Sequence, residues 1–194
     1  MKPAGRPNRA ACFQKENRMY IWIGCQLPGS FEKELRSFCL AQNESLGLDT
    51  AAFALPQHIS LKISFEAPEY EAVLEALSAF LAAQRPFSLR IGGPEQNGNI
   101  LWLPAEENET LRQLHRQLDD LLNARFRIPQ HPFDKEFLFH STLFIDNDTV
   151  KIAKMREALA DRPIARELAV DTFLLGVSET GKAGTYRVVR QIKV

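Results

Sequence analysis

Apolar and polar residues alternate along the stretch 58–65, which begins His58-Ile-Ser-Leu. Successive side chains of a β-strand point to opposite faces, so this alternation predicts a strand with one polar and one apolar face. His58 and Ser60 share the polar face, and Lys62 follows on the same face two positions later. The stretch therefore predicts a strand that presents an imidazole and a hydroxyl side by side.

A second stretch, 136–145, repeats this arrangement around His140-Ser-Thr-Leu. His140 and Thr142 share one face of the predicted strand, and Ser141 lies on the opposite face among apolar residues. Two strands that each present an imidazole and a hydroxyl suggest a cleft that holds a phosphate group. The hydrophobic pattern along the remaining chain predicts the fold in which these two strands would lie.

That pattern predicts further strands where aromatic and β-branched residues cluster, and helices where apolar residues recur every three or four positions. The predicted strands are 19–26, 87–91, 100–103, 167–177 and 185–194, and the predicted helices are 30–48, 69–83, 107–123 and 151–159. Ser30 is the expected N-cap of the first helix. Residues 1–18 lack an apolar period, which predicts a flexible N-terminal tail ahead of a single folded domain over residues 19–194.

The order of these elements favours an α+β fold. Each half of the chain combines strands with a helix that packs behind them, and one strand of each half carries the histidine motif. Long helical connections between strands are typical of layered folds in which helices cover a sheet. We therefore expect a bilobal, duplicated fold in which two mainly antiparallel sheets face each other across a central cleft, with the helices on the outside. Ligand sites are common in such clefts.

Composition limits the kind of ligand. Lysine plus arginine equals aspartate plus glutamate at 24 each, so the formal net charge is zero. Proteins that hold long nucleic acids by electrostatics carry a basic excess, so a small anionic ligand is favoured here. The 45% hydrophobic and 25% charged fractions are those of an ordinary globular protein. No apolar run reaches the roughly 20 residues that span a bilayer, so no membrane partner is expected.

The three cysteines, Cys12, Cys25 and Cys39, have no metal-ligand spacing, and an odd number cannot all pair. Cys25 and Cys39 lie in apolar runs, which predicts reduced core residues and hence a cytoplasmic location. The histidine motifs have no carboxylate or cysteine neighbours at zinc spacing, and no glycine-rich phosphate loop joins a strand to a helix. No metal site and no cofactor are therefore expected. A monomer is the expected state.

Two imidazoles that face one ligand can divide the roles of acid and base. The ordinary histidine pKa near 6.5 permits either role at neutral pH, and each positioned proton transfer accelerates a reaction by on the order of 10²–10⁴. The hydroxyls of Ser60 and Thr142 can donate hydrogen bonds to phosphate oxygens. A strained 2′,3′-cyclic phosphate suits such a site, because its opening removes one proton from water and gives one to the leaving oxygen. The two motifs are nearly equivalent, which leaves open whether His58 or His140 is the acid.

The two tetrads together resemble the paired HxTx signature of the 2H phosphoesterase superfamily, and in particular of the 2′-5′ RNA ligase / RNA 2′,3′-cyclic phosphodiesterase family. The similarity extends to the opening strand and Leu-Pro turn over 19–28, the hairpin over 87–103 and the closing strand over 184–194. The resemblance implies two catalytic histidines, two phosphate-binding hydroxyls and no cofactor. It also implies hydrolase activity that opens 2′,3′-cyclic phosphates of RNA ends or small nucleotides to 2′-phosphates, with 2′-5′ ligation as the reverse reaction.

The sequence allows two interpretations of the overall function and of several residues. The alternative to an enzyme is a non-catalytic module that binds nucleotides or RNA ends in the same cleft. Lys62 and Tyr186 are candidate substrate contacts, although an exposed lysine and a core tyrosine are the commoner cases. His115 lies in a leucine-striped helix, which predicts a structural or exposed role. The first tetrad continues into Lys62 and Glu66 where many relatives are apolar, so the substrate stays open between RNA and small cyclic phosphates.

Overall fold

The computed structural model describes residues 18–194, so the predicted tail over 1–18 lies outside the described part except for its last residue. The strands of the described part are β1 (Met19–Gln26), β2 (His58–Ser60), β3 (Phe65–Ala67), β4 (Phe87–Ile91), β5 (Glu95–Asn97), β6 (Ile100–Pro104), β7 (His140–Ile145), β8 (Arg166–Val170), β9 (Thr172–Ser178) and β10 (Arg187–Lys193). The helices are α1 (Gly29–Leu46), α2 (Tyr70–Ala82), α3 (Glu109–Phe126) and α4 (Thr149–Ala160). Each pair of neighbouring strands is antiparallel, as predicted.

Strands β10, β9, β1 and β2 lie side by side in that order, and β3 pairs with the other end of β1. This five-stranded sheet forms the first lobe. The central strand β1 is covered on both faces, with Ile21 and Ile23 on one face and Trp22 on the other, so its sequence is a nearly continuous apolar run. Helix α2 packs against β1, β9 and β10 and buries Leu77 and Leu81.

The second lobe contains the three-stranded sheet β5-β6-β7 and the pair β4-β8. A bridge between Ile91 and Ala105 connects these two pieces. Helix α4 packs against β5 and β6, and α1 packs on α4. Strand β7 approaches β2 where the lobes meet, so the two histidine motifs lie in neighbouring strands. The lobes are not successive halves of the chain, because β9 and β10 return to the first sheet.

Three predicted strands are wrong in extent. The predicted strand 136–145 begins only at His140, as β7. The predicted strand 58–65 divides into β2 and β3, which pair with opposite ends of β1. The predicted strand 167–177 divides at Asp171 into β8, which belongs to the second lobe, and β9, which belongs to the first. The residue pattern continues across each break, because the residues on both sides of it remain suitable for a strand. Alternation and hydrophobicity therefore do not mark the point where the chain changes partner.

The helices lie close to their predicted positions, but one cap is wrong. Ser30 is the expected cap of α1, whereas the helix begins after Pro28 and has no side-chain cap. Helix α1 is followed by Gly47, whose φ of 64° is left-handed and favours glycine. Helix α3 begins after Asn108, whose side chain accepts a hydrogen bond from the Leu111 N–H.

The expected α+β architecture is thus confirmed, with helices packed on antiparallel sheets. Strand β5 is missing from the prediction because its polar, mostly exposed residues carry no apolar signal. Within residues 18–194, no helix combines the length and the apolar character that crossing a membrane requires.

Candidate active site

The two motif histidines are held in the same way by the backbone just before them. The Nδ1 atom of His58 lies 2.7 Å from the Pro56 carbonyl oxygen, and Nδ1 of His140 lies 2.7 Å from the Leu138 carbonyl oxygen. A carbonyl oxygen can only accept a hydrogen bond, so each Nδ1 carries a proton and donates it. The lone pair of each neutral ring is therefore on Nε2, which is left to meet a ligand.

Each imidazole also packs against a tryptophan of the neighbouring strand. The ring centroids of Trp22 and His58 are 4.2 Å apart, and those of Trp102 and His140 are 4.3 Å apart. Trp22 lies on β1, which pairs with β2, and Trp102 lies on β6, which pairs with β7. Because a carbonyl bond and an indole contact fix each ring, the two lobes present equivalent imidazole units.

Two glycines make room for the indole of Trp22. A Cβ atom on Gly24 would lie 2.6 Å from Trp22 Cζ2, and one on Gly176 would lie 2.7 Å from Trp22 Cε3. Any side chain at either position would therefore displace the indole. In its observed place, the indole N–H donates a hydrogen bond to Ser60 Oγ at 3.0 Å. The Ser60 hydroxyl accepts this bond, so its own O–H stays available to donate to a ligand.

A cavity of about 280 Å³ opens beside these residues. Its lining includes three of the four motif residues, namely His58, Ser60 and Thr142. His140 borders a further cavity of about 170 Å³ and shares a face of β7 with Thr142, because strand faces alternate. The other described residues that line the first cavity are Trp22, Asp49, Ala51, Ala52, Leu55, Ile145, Ala183, Gly184 and Tyr186, and none of them is a lysine or an arginine.

Burial lowers the pKa of both motif histidines. For His58, burial outweighs the hydrogen bond to the Pro56 carbonyl and the charge of His140 adds to the lowering, so the pKa falls from 6.5 to about 4. Burial also lowers the pKa of His140, against the opposing effect of its bond to the Leu138 carbonyl. Both rings are therefore mostly neutral at pH 7. The two rings lie on strands β2 and β7, which are in contact where the lobes meet.

Tyr186 lies in the cavity wall, where the sequence places a candidate substrate contact. Its hydroxyl donates to the Gly181 carbonyl oxygen at 3.4 Å. Burial raises the pKa of the Tyr186 phenol, so the group is neutral at physiological pH. A neutral phenol on an apolar wall can contact a ligand through its ring or its hydroxyl, and a contact with substrate stays a prediction.

Lys62 does not take the place predicted for it. The prediction puts its side chain on the face of His58, as a phosphate contact or an exposed lysine, but only 2% of the residue is exposed. Its ammonium group pairs with the carboxylates of Asp119 and Asp134, which is what a buried charge requires. Asp134 also accepts a hydrogen bond from the Ile63 N–H at 3.0 Å. The two carboxylates belong to α3 and to the 3₁₀ turn Pro132–Asp134, so Lys62 is paired with these elements between β2 and β3.

The other two histidines have structural positions. His115 is buried in α3, with Nδ1 at 2.7 Å from the Leu61 carbonyl oxygen and Nε2 at 2.9 Å from the Asp134 carbonyl oxygen. This confirms the structural interpretation of His115. His131 is exposed and caps a short 3₁₀ turn, where its Nδ1 accepts a hydrogen bond from the Phe133 N–H at 3.2 Å. Among residues 18–194, no group of three or more His, Cys, Asp or Glu side chains is placed to hold a metal ion.

The sequence did not reveal all of the residues around the motifs. The indole contacts of Trp22 and Trp102 depend on which residues pair across strands, and that register cannot be read from one strand alone. A buried hydrogen bond from Ser141 Oγ to Gln57 Oε1, at 2.8 Å, was also missed. Ser141 did leave a signal, because a polar residue on the apolar face of a strand needs a partner when it is buried.

The fold is shared with known proteins. A family model described as the 2′-5′ RNA ligase superfamily matches residues 9–182, and no curated protein sequence matches the chain. TT0787 of Thermus thermophilus has 21% sequence identity and a TM-score of 0.60, with 90% of this chain and 97% of that chain covered. E. coli LigT in its apo form has 20% identity and a TM-score of 0.57, with 91% and 98% covered. Its complex with 3′-AMP has 17% identity and a TM-score of 0.56, with the same coverage of 91% and 98%.

These identities are low, so the solved structures show similarity of fold. The family match, in contrast, extends over most of the chain and includes both histidine motifs. This protein therefore belongs to the 2′-5′ RNA ligase superfamily, a group of 2H phosphoesterases.

Proposed function

We propose that this protein opens 2′,3′-cyclic phosphates to 2′-phosphates by two-histidine acid–base catalysis that needs no metal. The observation that carries the proposal is the equivalence of the two imidazole units. Each ring donates Nδ1–H to a carbonyl oxygen two residues earlier and packs against a tryptophan. Two such rings offer one Nε2 atom for each of the two proton transfers that ring opening requires.

The reaction proceeds in one displacement at phosphorus. A water oxygen attacks the phosphorus while Nε2 of one histidine takes a proton from the water. The bond from phosphorus to the ribose 3′ oxygen breaks, and the other histidine gives its Nε2 proton to that oxygen. Ser60 and Thr142 donate hydrogen bonds to the oxygens of the phosphate that do not react. The Ser60 proton is suited to this because its oxygen already accepts from the Trp22 indole.

The pKa values favour one assignment of the two roles. His58, with a pKa of about 4, is neutral at pH 7 and is the base toward water. His140 has more contact with solvent than His58. It becomes the acid when an anionic phosphate lies beside it, because a nearby negative charge raises the pKa of an imidazole.

The substrate class is a nucleotide with a 2′,3′-cyclic phosphate, either free or at the end of an RNA. A cavity of about 280 Å³ lies just below the usual range of about 300–1,000 Å³ for ligand pockets, which suits a single terminal nucleotide. E. coli LigT has been crystallised with 3′-AMP and with ATP, which supports a nucleotide ligand for this fold. When a 5′-hydroxyl replaces water as the nucleophile, the same ring opening breaks the bond from phosphorus to the 3′ oxygen and forms a 2′-5′ linkage; the base takes the hydroxyl proton and the acid protonates the 3′ oxygen.

The proposed setting is a monomer in the cytoplasm. Both imidazoles come from one chain, so one copy suffices for the chemistry. Cys25 and Cys39 are unpaired and buried, and burial raises the pKa of the Cys39 thiol to about 12, which keeps that thiol protonated. Unpaired cysteines are consistent with a reducing compartment.

The experiment is to incubate the protein with 2′,3′-cyclic AMP in EDTA and to identify the product by chromatography. We expect 2′-AMP, and we expect His58→Ala and His140→Ala each to lower kcat by on the order of 10²–10⁴. His131→Ala, at the exposed loop histidine, is the matched control and keeps full activity. Saturable binding without turnover would support the non-catalytic module instead, and activity lost in EDTA would contradict the metal-free mechanism.

A further inference from the structure

The two histidine motifs differ at one fully buried position. Between the histidine and the hydroxyl residue, the first motif has Ile59 and the second has Ser141, and both residues are 0% exposed. Burial of a hydroxyl is unfavourable unless it forms a hydrogen bond. Ser141 Oγ donates to Gln57 Oε1 at 2.8 Å, so the buried hydroxyl has a specific partner.

This hydrogen bond connects the two motifs directly. Gln57 immediately precedes His58, and Ser141 lies between His140 and Thr142. The bond therefore joins the start of β2, in the first lobe, to β7, in the second lobe, across 84 residues of sequence. Side chains at neighbouring positions of a strand point to opposite faces, so the bond lies behind the imidazoles rather than among them.

Stability alone does not account for this pair. Gln57 is 1% exposed, and its Nε2 atom is buried without a hydrogen-bond partner in the described part of the protein. A buried donor without a partner destabilises a fold, whereas two apolar side chains of similar shape at such positions are nearly neutral or stabilising. The equivalent Ile59 shows that this kind of position accepts an apolar residue. An apolar pair of the same shape would therefore be at least as favourable for stability.

We propose that Gln57 and Ser141 are positioning residues whose hydrogen bond fixes the separation of the two imidazoles. The inference rests on the proposed function, because the separation matters where both rings act on one phosphate. Rings that are displaced by about 1 Å from the reactive geometry can lose on the order of 10² in rate. The bond acts through His58 and His140 and does not touch the substrate.

The test compares Gln57→Met, Ser141→Ala and the double variant with the wild type. Ser141→Thr keeps the hydroxyl and is the conservative variant, and Ser45→Ala is a matched serine control on the exposed end of α1. We expect each single variant to lower kcat by about tenfold while KM stays within about twofold. We expect kcat of the double variant to be no lower than that of either single variant, because all three variants lose the same hydrogen bond. We expect its melting temperature to be at or above that of the wild type. Ser141→Thr keeps at least half of the wild-type kcat.

A second readout does not depend on turnover. An NMR titration of the four histidine rings follows the protonation of His58 directly. We expect the pH midpoint of the His58 titration to rise in the double variant, because the two rings move apart and gain contact with water. The positioning role would be overturned by a double variant that recovers both the melting temperature and kcat. It would also be overturned by an unchanged midpoint of the His58 titration, or by single variants whose kcat is within twofold of the wild type. If the wild type itself has no activity, the proposed function fails, and the His58 midpoint alone decides the positioning role.

Discussion

The low pKa of His58 makes the stability of the protein depend on pH. The unfolded chain binds a proton at the ordinary histidine value of 6.5, whereas the folded chain does so only near 4. Between these values the unfolded state holds more protons, so the free energy of unfolding decreases as the pH falls. The difference of about 2.5 in pKa, at about 1.4 kcal/mol for each pH unit, corresponds to a loss of up to about 3 kcal/mol between pH 7 and pH 4. The effect levels off about one pH unit below the folded-state pKa, where both states hold the proton.

The variant that isolates this effect is His58→Asn. The asparagine amide can still donate to the Pro56 carbonyl, but it does not titrate. Urea unfolding of both proteins is followed by circular dichroism at pH 7, 6, 5 and 4 in phosphate-free buffers, because a bound anion would stabilise the charged imidazole. We expect the stability advantage of the wild type to shrink by up to about 3 kcal/mol over this range. His131→Asn, at the exposed histidine, is the control. Parallel curves for the wild type and His58→Asn would refute the claim that burial holds His58 neutral.

Three further predictions concern the site and its support. Lys62→Met removes the ammonium group that pairs with the buried carboxylates of Asp119 and Asp134. We expect the free energy of unfolding in urea to fall by about 3–5 kcal/mol, and a fall below about 1 kcal/mol would contradict the buried ion pairs. Gly24→Ala places a Cβ 2.6 Å from the Trp22 indole, so kcat should fall while the circular dichroism spectrum is retained. Gly93→Ala, where nothing lies within 4 Å of the added Cβ, is its control. In the proposed mechanism the base must be neutral and the acid protonated, and both pKa values are lowered, so the optimum of kcat/KM for a cyclic nucleotide should lie below pH 6.5. An optimum above pH 7.5 would contradict this assignment.

The histidine strands could be predicted because the signal is local. A period of two fixes the faces of His58 and Ser60, and of His140 and Thr142, without knowledge of the rest of the fold. The same rule fails at Lys62, where the chain turns inward to Asp119 and Asp134, which are 57 and 72 residues away. No local pattern contains partners at that distance.

The sequence does not predict which sheet each strand joins, because strand pairing also depends on residues that are distant in the chain. Residues 167–177 are suitable for a strand throughout, but they serve two sheets, and the change occurs at Asp171. The contacts of Trp22 and Trp102 with the histidines depend on strand pairing, which follows from the packing of whole lobes. Ser141 is the exception, because a polar residue on an apolar strand face already indicates a buried partner.

The lack of lysine and arginine in the described lining of the cavity affects the release of product. None of its described lining residues is a lysine or an arginine, and Asp49 adds a carboxylate to the wall. A cyclic phosphodiester carries one negative charge, whereas the 2′-phosphate formed from it approaches two at pH 7, because its second pKa is near 6. By the proposed mechanism the site offers hydroxyls, an indole and one imidazolium, which match the single charge of the cyclic phosphate and compensate a second charge poorly. Under the proposed function, ring opening therefore weakens the binding of the ligand and promotes product release, so product inhibition is weak at neutral pH and grows as the medium becomes acidic.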